Sequence, residues 1–478
     1  MRQHSSDETV VEPHFEGRLP TTRDAIIIVP GIMGSELTEY ASGRIVWGMT
    51  PQWYLRSWTS SAGLELLALS DSERDGKYGR LRPTRLIRFP AYAPILSGIE
   101  PYTKLIRSAA SLVIHPAAII EFPYDWRLPV TYNAQRLAEV AVRHLERWAK
   151  HPRQVEAQRQ DLDRDSPRVI VVAHSMGGLL VQELPRFFDA ERIIRTSITI
   201  GTPFHGAPKV VLLLNSGAGS PLPLPRQKLR RLAEGMPGMY DLLPAYRCVD
   251  NGAYASQLNP NDVERIGGQA SLARLAVEAR ERRKRYAPPN HVAIVGAHQP
   301  TAESISVRDG VVFPNQYSLL PGRDESVDRV RLGGDGTVPR LSTRTNGGTP
   351  LPLAQRHGAL PRMDEVALVL EDVILRQETG PWLGAGEIGA DIPDIVTAGE
   401  TFYVAVSGVD HPREVSCTVV DAEVGRSVTI GEPTFREGQP AVALRIDNPG
   451  IYRVAIGGGS GGQSLVSELV LVCGSSDR

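Results

Sequence analysis

A serine lies in a turn of small residues between two apolar segments, in the stretch RVIVVAHSMGGLLVQEL at 168–184. The run before it, Val169 to Val172, is entirely β-branched, which is typical of a strand buried on both faces of a parallel sheet. Ala173 and Gly177 flank Ser175 at a distance of two residues, where a sharp turn crowds the backbone. The pattern therefore predicts a serine hydroxyl exposed at the carboxyl end of a strand, where it could act as a nucleophile.

This strand, serine turn and helix resemble the nucleophile elbow of α/β-hydrolases. Because serine is a weak nucleophile near neutral pH, the elbow needs an orienting acid and a basic histidine, which follow the serine in that order. The stretch LGGDGTVPRLS places Asp335 in a glycine-rich turn, and LAQRHGALPRMDEV places His357 just before a helical segment. The only later histidine, His411, lies in a predicted β-rich region. The sequence therefore predicts Ser175, Asp335 and His357 as the catalytic residues.

Other histidines and acids near these motifs are weaker candidates. A Gly-Asp-Gly turn can also be purely structural, because aspartate and glycine both favour turns. His174 and His205 precede the acid, so we expect them to be structural or to line the pocket. The weaker candidates for the acid are Asp309, Asp324 and Asp328.

Attack on an ester carbonyl also needs donors for the negative charge of the tetrahedral intermediate. In the elbow geometry one donor is the backbone N–H after the nucleophile, here Met176, and the other comes from a loop after an earlier strand. The loop PGIMGS follows the apolar run Ala25 to Val29, and its candidate donor is the N–H of Ile32. The alternative is that PGIMGS is a simple Pro-Gly turn. This mechanism requires neither a cofactor nor a metal ion.

Apolar strand-like runs alternate with helical patterns along most of the chain. One such helical pattern is Asn133 to Trp148. The alternation indicates a mainly parallel sheet covered on both faces, which together with the elbow predicts an α/β-hydrolase. The strand-like runs are Ala25 to Val29, Ala118 to Phe122, Val169 to Val172, Ser197 to Ile200 and Val292 to Val295.

The chain of 478 residues is too long for one ordinary core, so we expect a large catalytic domain and a smaller unit. A polar tail at 1–22 precedes the predicted catalytic domain at 23–388. Two insertions, about 47–94 and about 209–290, interrupt the alternation and form either caps or ordinary peripheral packing. From 391 to 478, short β-rich runs between turn residues predict a small β-sandwich.

The stretch before the β-rich unit, GPWLGAGEIGADIP at 380–393, is typical of a linker. No candidate catalytic residue lies in the β-rich unit. We therefore expect deletion after about Gly389 to leave hydrolysis of a small soluble ester nearly unchanged. The unit would then serve for action on aggregated lipid or for binding a protein partner.

The charge balance and the cysteine content argue against a nucleic-acid-binding protein and against a disulfide-rich one. With 53 basic and 54 acidic residues, the chain has no overall attraction to nucleic acid. The basic run RLAVEARERRKRY at 274–286 is predicted to be a solvated helix face. Three scattered cysteines suit a reducing compartment better than a disulfide framework. Because neither a signal-like N-terminus nor a run of about 18 apolar residues occurs, we expect a cytoplasmic protein.

Seven motifs occur in a fixed order, namely IIIVPGIMGSEL, EFPYDWRLP, VVAHSMGGLL, IGTPFHGAP, MPGMYDLLP, GGDGTVP and QRHGAL. Together they resemble the signatures of the lecithin:cholesterol acyltransferase family, which includes phospholipid:diacylglycerol acyltransferases and lysosomal phospholipases. The resemblance covers about Ala25 to Leu375, and PYDWR at Pro123 to Arg127 is not a general hydrolase motif. It implies the triad Ser175, Asp335 and His357 and an oxyanion hole from Ile32 and Met176.

The resemblance also implies roles for the insertions and for the PYDWR charges. The aromatic-rich first insertion should touch lipid, the second should form part of a cap, and Asp125 and Arg127 should be structural charges near the site. Secreted members close the first insertion with a disulfide, whereas here it contains no cysteine. The aromatic residues of the first insertion are Trp47, Trp53, Tyr54 and Trp58.

These features predict a serine-dependent lipid acyl hydrolase or acyltransferase that acts on glycerolipid (phospholipid) esters through an acyl-enzyme. The alternatives are an esterase for a soluble acyl ester and a non-catalytic scaffold that carries the β-sandwich. The expected partners are a lipid or acyl-ester substrate, a membrane surface in transient contact, and a protein bound through the C-terminal β domain. The triad is the same for hydrolysis and acyl transfer, so the sequence leaves that choice open.

Overall fold

A parallel sheet of six strands forms the centre of the fold. The computed structural model describes residues 21–48, 66–74, 79–93, 97–99, 101–161, 165–215, 230, 232–323, 326–345, 350–376, 388–458 and 465–474. The strands of the central sheet are β1 (Ala25–Val29), β2 (Ile119–Glu121), β3 (Val169–His174), β4 (Ile194–Ile200), β5 (His291–Gly296) and β6 (Leu351–Leu353).

The strands lie in the order β6-β5-β4-β3-β1-β2, and every neighbouring pair is parallel. The central strands β1 and β3 are buried along their whole length, which explains their unbroken apolar runs. All five predicted strands are present, and the predicted α/β-hydrolase class is confirmed. Because the carboxyl ends of parallel strands meet at one edge, the segments after β1, β3 and β6 can converge there.

Helices connect the strands and pack against the sheet. The predicted pattern Asn133 to Trp148 lies within helix Val130–Ala149, which buries one face including Leu137 and Ala141. Trp148 Nε1 donates to the Arg23 carbonyl oxygen at 2.7 Å and so fixes this helix beside the start of β1. The helices with described bounds are Asp71–Arg74, Thr103–Ser111, Val130–Ala149, Pro152–Gln160, Gly177–Glu183, Ala190–Ile193, Pro208–Asn215, Pro237–Tyr240, Pro260–Arg265, Ala270–Arg283 and Asp364–Leu375.

The first residue of the first insertion, Trp47, is buried in the core of the predicted catalytic domain. Trp47 is 1% exposed, contacts Trp126 edge-on at 5.6 Å between ring centroids, and donates from Nε1 to the Met33 carbonyl oxygen at 2.6 Å. Trp47 therefore does not touch lipid, contrary to the expectation, because its ring completes the core beneath the loop after β1. Trp53, Tyr54 and Trp58 lie outside the described residues. The described strands here are Ser35–Glu39, Ile45–Trp47 and Leu81–Leu86 in one sheet, and Ala91–Ala93 with Ser97–Ile99 in a hairpin.

The basic run of the second insertion belongs to helix Ala270–Arg283, but that helix is not simply a solvated face. Arg280 Nη2 donates to the Leu243 carbonyl oxygen at 2.7 Å. Arg283 is 2% exposed and lies 3.4 Å from Glu183. The expectation of a solvated helix face is wrong at these two arginines, because each is buried and contacts a carbonyl or carboxylate oxygen of another element. Around this insertion lie a four-stranded sheet of Arg247–Asp250, Ala255–Gln257, Ser304–Arg308 and Val311–Asn315 and a hairpin of Ser318–Pro321 and Val327–Val330.

The C-terminal region contains two further sheets that share one core. Val404 and Val442 from one sheet pack with Val454 and Val470 from the other, as predicted for a β-sandwich. The domain boundaries themselves remain a prediction, and most of the predicted linker lies outside the described residues. The strands are β7 (Gly389–Asp391), β8 (Ile395–Thr397), β9 (Thr401–Ser407), β10 (Val415–Asp421), β11 (Ser427–Ile430), β12 (Glu432–Arg436), β13 (Gln439–Arg445), β14 (Gly450–Gly458) and β15 (Leu465–Cys473).

The order is β7-β9-β13-β12 in the first of these sheets and β8-β15-β14-β10-β11 in the second. The three cysteines, Cys248, Cys417 and Cys473, are all buried. Within the described stretches, no helix combines the length and the apolar character needed to cross a membrane.

Candidate active site

Strand β3 ends in a tight turn that carries Ser175. The φ angle of Ser175 is 51°, a left-handed conformation that is strained for a residue with a side chain. Its N–H donates to the Ile200 carbonyl oxygen at 2.8 Å, and helix Gly177–Glu183 begins two residues later. A Cβ at Gly177 would lie only 2.5 Å from the Pro30 carbonyl oxygen. The small residues of this motif therefore let the serine turn approach the loop after β1.

Ser175, His357 and Asp335 form a continuous hydrogen-bonded chain. Ser175 Oγ lies 2.9 Å from His357 Nε2, and His357 Nδ1 lies 2.7 Å from Asp335 Oδ2. Because a carboxylate only accepts, Nδ1 carries the imidazole proton and Nε2 is the free base that faces the serine. The structure thus brings together the three residues that the sequence selects. Their catalytic roles remain a prediction.

The turn GGDGTVP fixes the Asp335 carboxylate. Asp335 Oδ1 accepts from the N–H groups of Thr337 at 2.9 Å and Val338 at 2.6 Å, which leaves Oδ2 for the imidazole. The His357 N–H also donates to the Asp335 carbonyl oxygen at 2.8 Å. Asp335 is 1% exposed, so these contacts are shielded from water. Backbone and side chain together therefore hold the acid and the imidazole in register.

The loop after β1 lies against the serine. Gly31 and Ile32 line the same cleft as Ser175, and a Cβ at Gly31 would lie 2.9 Å from the Ser175 Cβ. The Gly34 N–H donates to the Gly31 carbonyl oxygen at 3.1 Å, so the loop is a turn and also borders the cleft. Met176 directly follows the serine and is the N-cap residue of the next helix. The role of Ile32 and Met176 as oxyanion donors remains a prediction.

The surface of the cleft at Ser175 is mainly apolar. A cleft of this kind next to a nucleophile suits the hydrocarbon chain of an acyl group. Its apolar lining residues include Ile32, Pro203, Ala207, Val210, Leu242 and Val338.

Part of the chain matches the sequence model of a known protein family. Residues 93–265 match the family model of lecithin:cholesterol acyltransferase. The resemblance to the lecithin:cholesterol acyltransferase family is thereby confirmed. The matched segment contains Ser175, whereas Asp335 and His357 lie beyond it. The match supports an acyl-transferring enzyme, a lipid acyl hydrolase or acyltransferase.

Two solved structures show weak similarity to this chain. One is the Tle4–Tli4 complex, at 14% identity and a TM-score of 0.45, covering 75% of this chain and 100% of that chain. The other is the lipase BlEst2 of Bacillus licheniformis in its mature form, at 13% identity and a TM-score of 0.30, covering 74% of this chain and 94% of that chain. No curated protein is similar enough in sequence to count as a relative.

The PYDWR motif of the family resemblance forms a buried ionic cluster, not a part of the cleft lining. Arg127 Nη2 lies 2.7 Å from Asp125 Oδ2 and 2.8 Å from Glu73 Oε1. Burial lowers the pKa of Arg127, but its ion pairs with Asp125 and Glu73 outweigh this and raise it overall. Glu73 comes from the first insertion, so the cluster ties that insertion to the segment after β2. Glu73 could not be predicted from the sequence, because an isolated glutamate does not reveal a buried partner.

A second hydrogen-bonded chain links the loop after β1 to His357. The Gly31 N–H donates to Tyr102 Oη at 2.9 Å, and Tyr102 Oη donates to His174 Nδ1 at 2.8 Å. His174 Nε2 then donates to the His357 carbonyl oxygen at 3.2 Å. Burial, together with the neighbouring His357, holds the pKa of His174 well below its usual range, so the ring stays neutral. His174 is thus structural, as expected, but Tyr102 carried no motif and sequence reasoning missed it.

We expect Tyr102→Phe to lower kcat for a simple ester by about tenfold, because it leaves the buried Gly31 N–H and His174 Nδ1 without their shared partner. The ring remains, so core packing should change little. Steady-state kinetics with a soluble ester measures the effect. Tyr452→Phe, which removes a hydroxyl bound to the Asn448 carbonyl oxygen in the C-terminal sheets, is the matched control. An unchanged kcat in Tyr102→Phe would rule out any influence of this chain on the reaction.

The remaining candidate residues do not join the triad. His205 does not line the cleft. Asp309 occupies a turn with a φ of 51°, and Asp328 is an exposed residue of a hairpin strand. His411 caps a short helical turn in the C-terminal sheets, and Asp324 lies outside the described residues. Among the residues that the structure describes, no group of three or more His, Cys, Asp or Glu is arranged to hold a metal ion.

Proposed function

We propose that this protein is a serine-dependent lipid acyl hydrolase or acyltransferase that acts on glycerolipid (phospholipid) esters through an acyl-enzyme. The observation that carries the proposal is the chain Ser175–His357–Asp335, with contacts of 2.9 Å and 2.7 Å. The apolar cleft and the family match support a lipid acyl group as the substrate. The three cysteines, few and far apart in the sequence, support a cytoplasmic location. Access to lipid would then require transient contact with a membrane surface.

The proposed reaction has two halves. In the first, His357 Nε2 takes the Ser175 proton as Oγ bonds to the ester carbonyl carbon, and the N–H groups of Ile32 and Met176 stabilise the oxyanion. The tetrahedral intermediate collapses, and His357 returns the proton to the leaving alcohol. In the second half, His357 takes a proton from water or an acceptor alcohol, whose oxygen bonds to the acyl carbon. The bond from that carbon to Ser175 Oγ then breaks, His357 returns the proton to Oγ, and a fatty acid or a new ester is released. Asp335 stabilises the positive imidazolium formed in each half.

Product analysis tests the proposal. Purified protein is incubated with a panel of phospholipids and neutral glycerolipids, with and without a long-chain alcohol, and mass spectrometry identifies the acyl products. We expect fatty acid from at least one glycerolipid, and a new ester with the alcohol if the protein is a transferase. Esters of short and long soluble acids run in parallel. Activity on soluble esters alone would favour the esterase, and no activity on any ester, with no labelling of Ser175 by a fluorophosphonate, would favour the scaffold.

We expect ester hydrolysis to rise with pH and then level off, because only the neutral imidazole of His357 can take the serine proton. His174 should not contribute to this rise, since its pKa is held well below the usual range. The measurement is kcat/KM for a soluble ester from about pH 5 to about pH 9. Circular dichroism over the same range controls for unfolding. Activity that falls steadily as pH rises in folded protein would contradict the general-base mechanism.

A further inference from the structure

The turn that carries His357 is fastened to strand β15 by a buried glutamine. Gln355 Nε2 donates to the Leu465 carbonyl oxygen at 2.8 Å, and Gln355 Oε1 accepts from the Ser467 N–H at 2.9 Å. The side-chain amide therefore pairs with the strand as a neighbouring backbone would. Gln355 is 3% exposed, so both bonds are shielded from water. Because His357 is two residues away, β15 contributes to the position of its backbone.

A second glutamine fastens the turn of Asp335 to the start of the C-terminal sheets. Gln299 Nε2 donates to the Ile388 carbonyl oxygen, and its Oε1 accepts from the Ala390 N–H, both at 3.1 Å. The backbone N–H of Gln299 donates to the Gly334 carbonyl oxygen at 3.0 Å, one residue before Asp335. His357 thus lies two residues from a glutamine bound to the C-terminal region, and Asp335 lies one residue from a glycine that a second such glutamine binds.

A buried ion pair joins the same two parts of the chain. Arg356 Nε lies 3.1 Å from Glu468 Oε2, and the two side chains are 6% and 4% exposed. The contact is electrostatic, since Nε makes no hydrogen bond, while Nη2 donates to the Ile392 carbonyl oxygen at 2.7 Å. Burial raises the pKa of Glu468 to about 7, and the Arg356 charge opposes this rise. Removal of either partner leaves the other charge buried alone, which is strongly unfavourable.

The C-terminal region also reaches the cleft itself. Lys209 lines the cleft with Ser175, and its Nζ lies 3.5 Å from Asp394 Oδ2. Asp394 precedes β8 directly. The C-terminal region therefore contacts the histidine turn and also one wall of the cleft.

We propose that strand β15 of the C-terminal β-sandwich supports the active site: Glu468 of this strand and Gln355 of the histidine turn are positioning residues that hold His357 in register with Ser175. The inference rests on the proposed function. It replaces the expectation that the β-sandwich can be removed without effect on a small ester. Proton transfer from Ser175 needs a contact near 2.9 Å, and a displacement of about 1 Å costs on the order of 100-fold in rate.

Glu468→Gln in the full chain tests this inference at about pH 8, where the wild-type carboxyl is mostly ionised and the variant removes a charge. We expect kcat for a soluble ester to fall by about tenfold or more with KM nearly unchanged, because the chemistry and not the binding is disturbed. Glu432→Gln, an exposed glutamate of the edge strand β12, is the matched control and should keep the wild-type kcat. Active sites are counted with a fluorophosphonate, so that kcat refers to competent protein only.

A spectroscopic readout tests the geometry without depending on turnover. In protein labelled with ¹⁵N-histidine, the low-field proton on His357 Nδ1 reports its hydrogen bond to Asp335 and is assigned by its loss in His357→Gln. We expect this resonance to broaden or vanish in Glu468→Gln and to persist in Glu432→Gln. Gln355→Met removes both hydrogen bonds to β15 and should weaken the same resonance. It is the second variant with which the inference is tested if Glu468→Gln does not fold.

The outcomes separate this inference from the proposed function. A lower unfolding temperature in Glu468→Gln with unchanged kcat per active site and an unchanged resonance would show a merely structural role and overturn the inference. If the resonance is lost in both variants while the wild type hydrolyses no ester, the positioning stands and the proposed function fails. Loss of both the resonance and kcat, with the control unaffected, supports the two together.

Discussion

Ser175→Ala is expected to lower turnover of a simple ester by about 10⁴-fold or more while the fold is retained. The variant removes the atom that forms the acyl-enzyme, and neither His357 nor Asp335 can replace it. Alanine is smaller than serine and keeps a Cβ at the strained φ of 51°, so the turn should survive. The hydroxyl makes its described contact with His357 only, and its loss leaves no large cavity.

The measurement is kcat/KM with a chromogenic ester, together with mass spectrometry after treatment with a fluorophosphonate. Wild-type protein should gain the label on the peptide that contains Ser175, and the variant should not. Ser416→Ala, at an exposed position of strand β10, controls for a general effect of losing a serine. Wild-type activity in Ser175→Ala would remove the serine mechanism altogether.

The turns that carry the three candidate residues could be predicted because each has a local signature. Ser175 lies between a β-branched strand and a helix that starts with two glycines. Asp335 is flanked by glycines, and Gly336 has a φ of 87°, which favours glycine. Strands β1 and β3 were equally clear, since burial on both faces requires continuous apolar runs. Strand β6 was missed because LPL is short and contains a proline.

The contacts between distant segments could not be predicted in the same way. Gln355 pairs with a strand 110 residues away, and Tyr102 binds a histidine 72 residues away. A glutamine or tyrosine has the same side chain whether its partner is water or buried backbone, so composition and periodicity carry no signal. Arg280 and Arg283 show the same limit, because their buried partners lie on other elements. Sequence therefore identified the groups that could react and missed those that hold them in place.

Asp335→Asn is expected to lower kcat/KM by about 10³- to 10⁴-fold near neutral pH, through the proton position on His357. In the wild type, Oδ1 accepts from the Thr337 and Val338 N–H groups and Oδ2 accepts from His357 Nδ1. An asparagine must keep its oxygen facing the two backbone donors, so its NH₂ group faces the imidazole. His357 Nδ1 then has to accept, which moves the ring proton to Nε2. An Nε2 that already carries a proton cannot take one from Ser175.

Comparison with other aspartates tests whether the loss of activity comes from the proton position on His357 and not from the loss of any carboxylate. The side chain keeps its size and its two backbone hydrogen bonds, so thermal unfolding should change little while kcat/KM collapses. Asp309→Asn and Asp328→Asn, at the other described candidates for the acid, are the matched controls and should retain activity. If one of these controls loses activity and Asp335→Asn does not, the acid has been assigned to the wrong residue. If all three retain it, His357 does not need a carboxylate to hold its tautomer, and the hydrogen bond to Asp335 is structural.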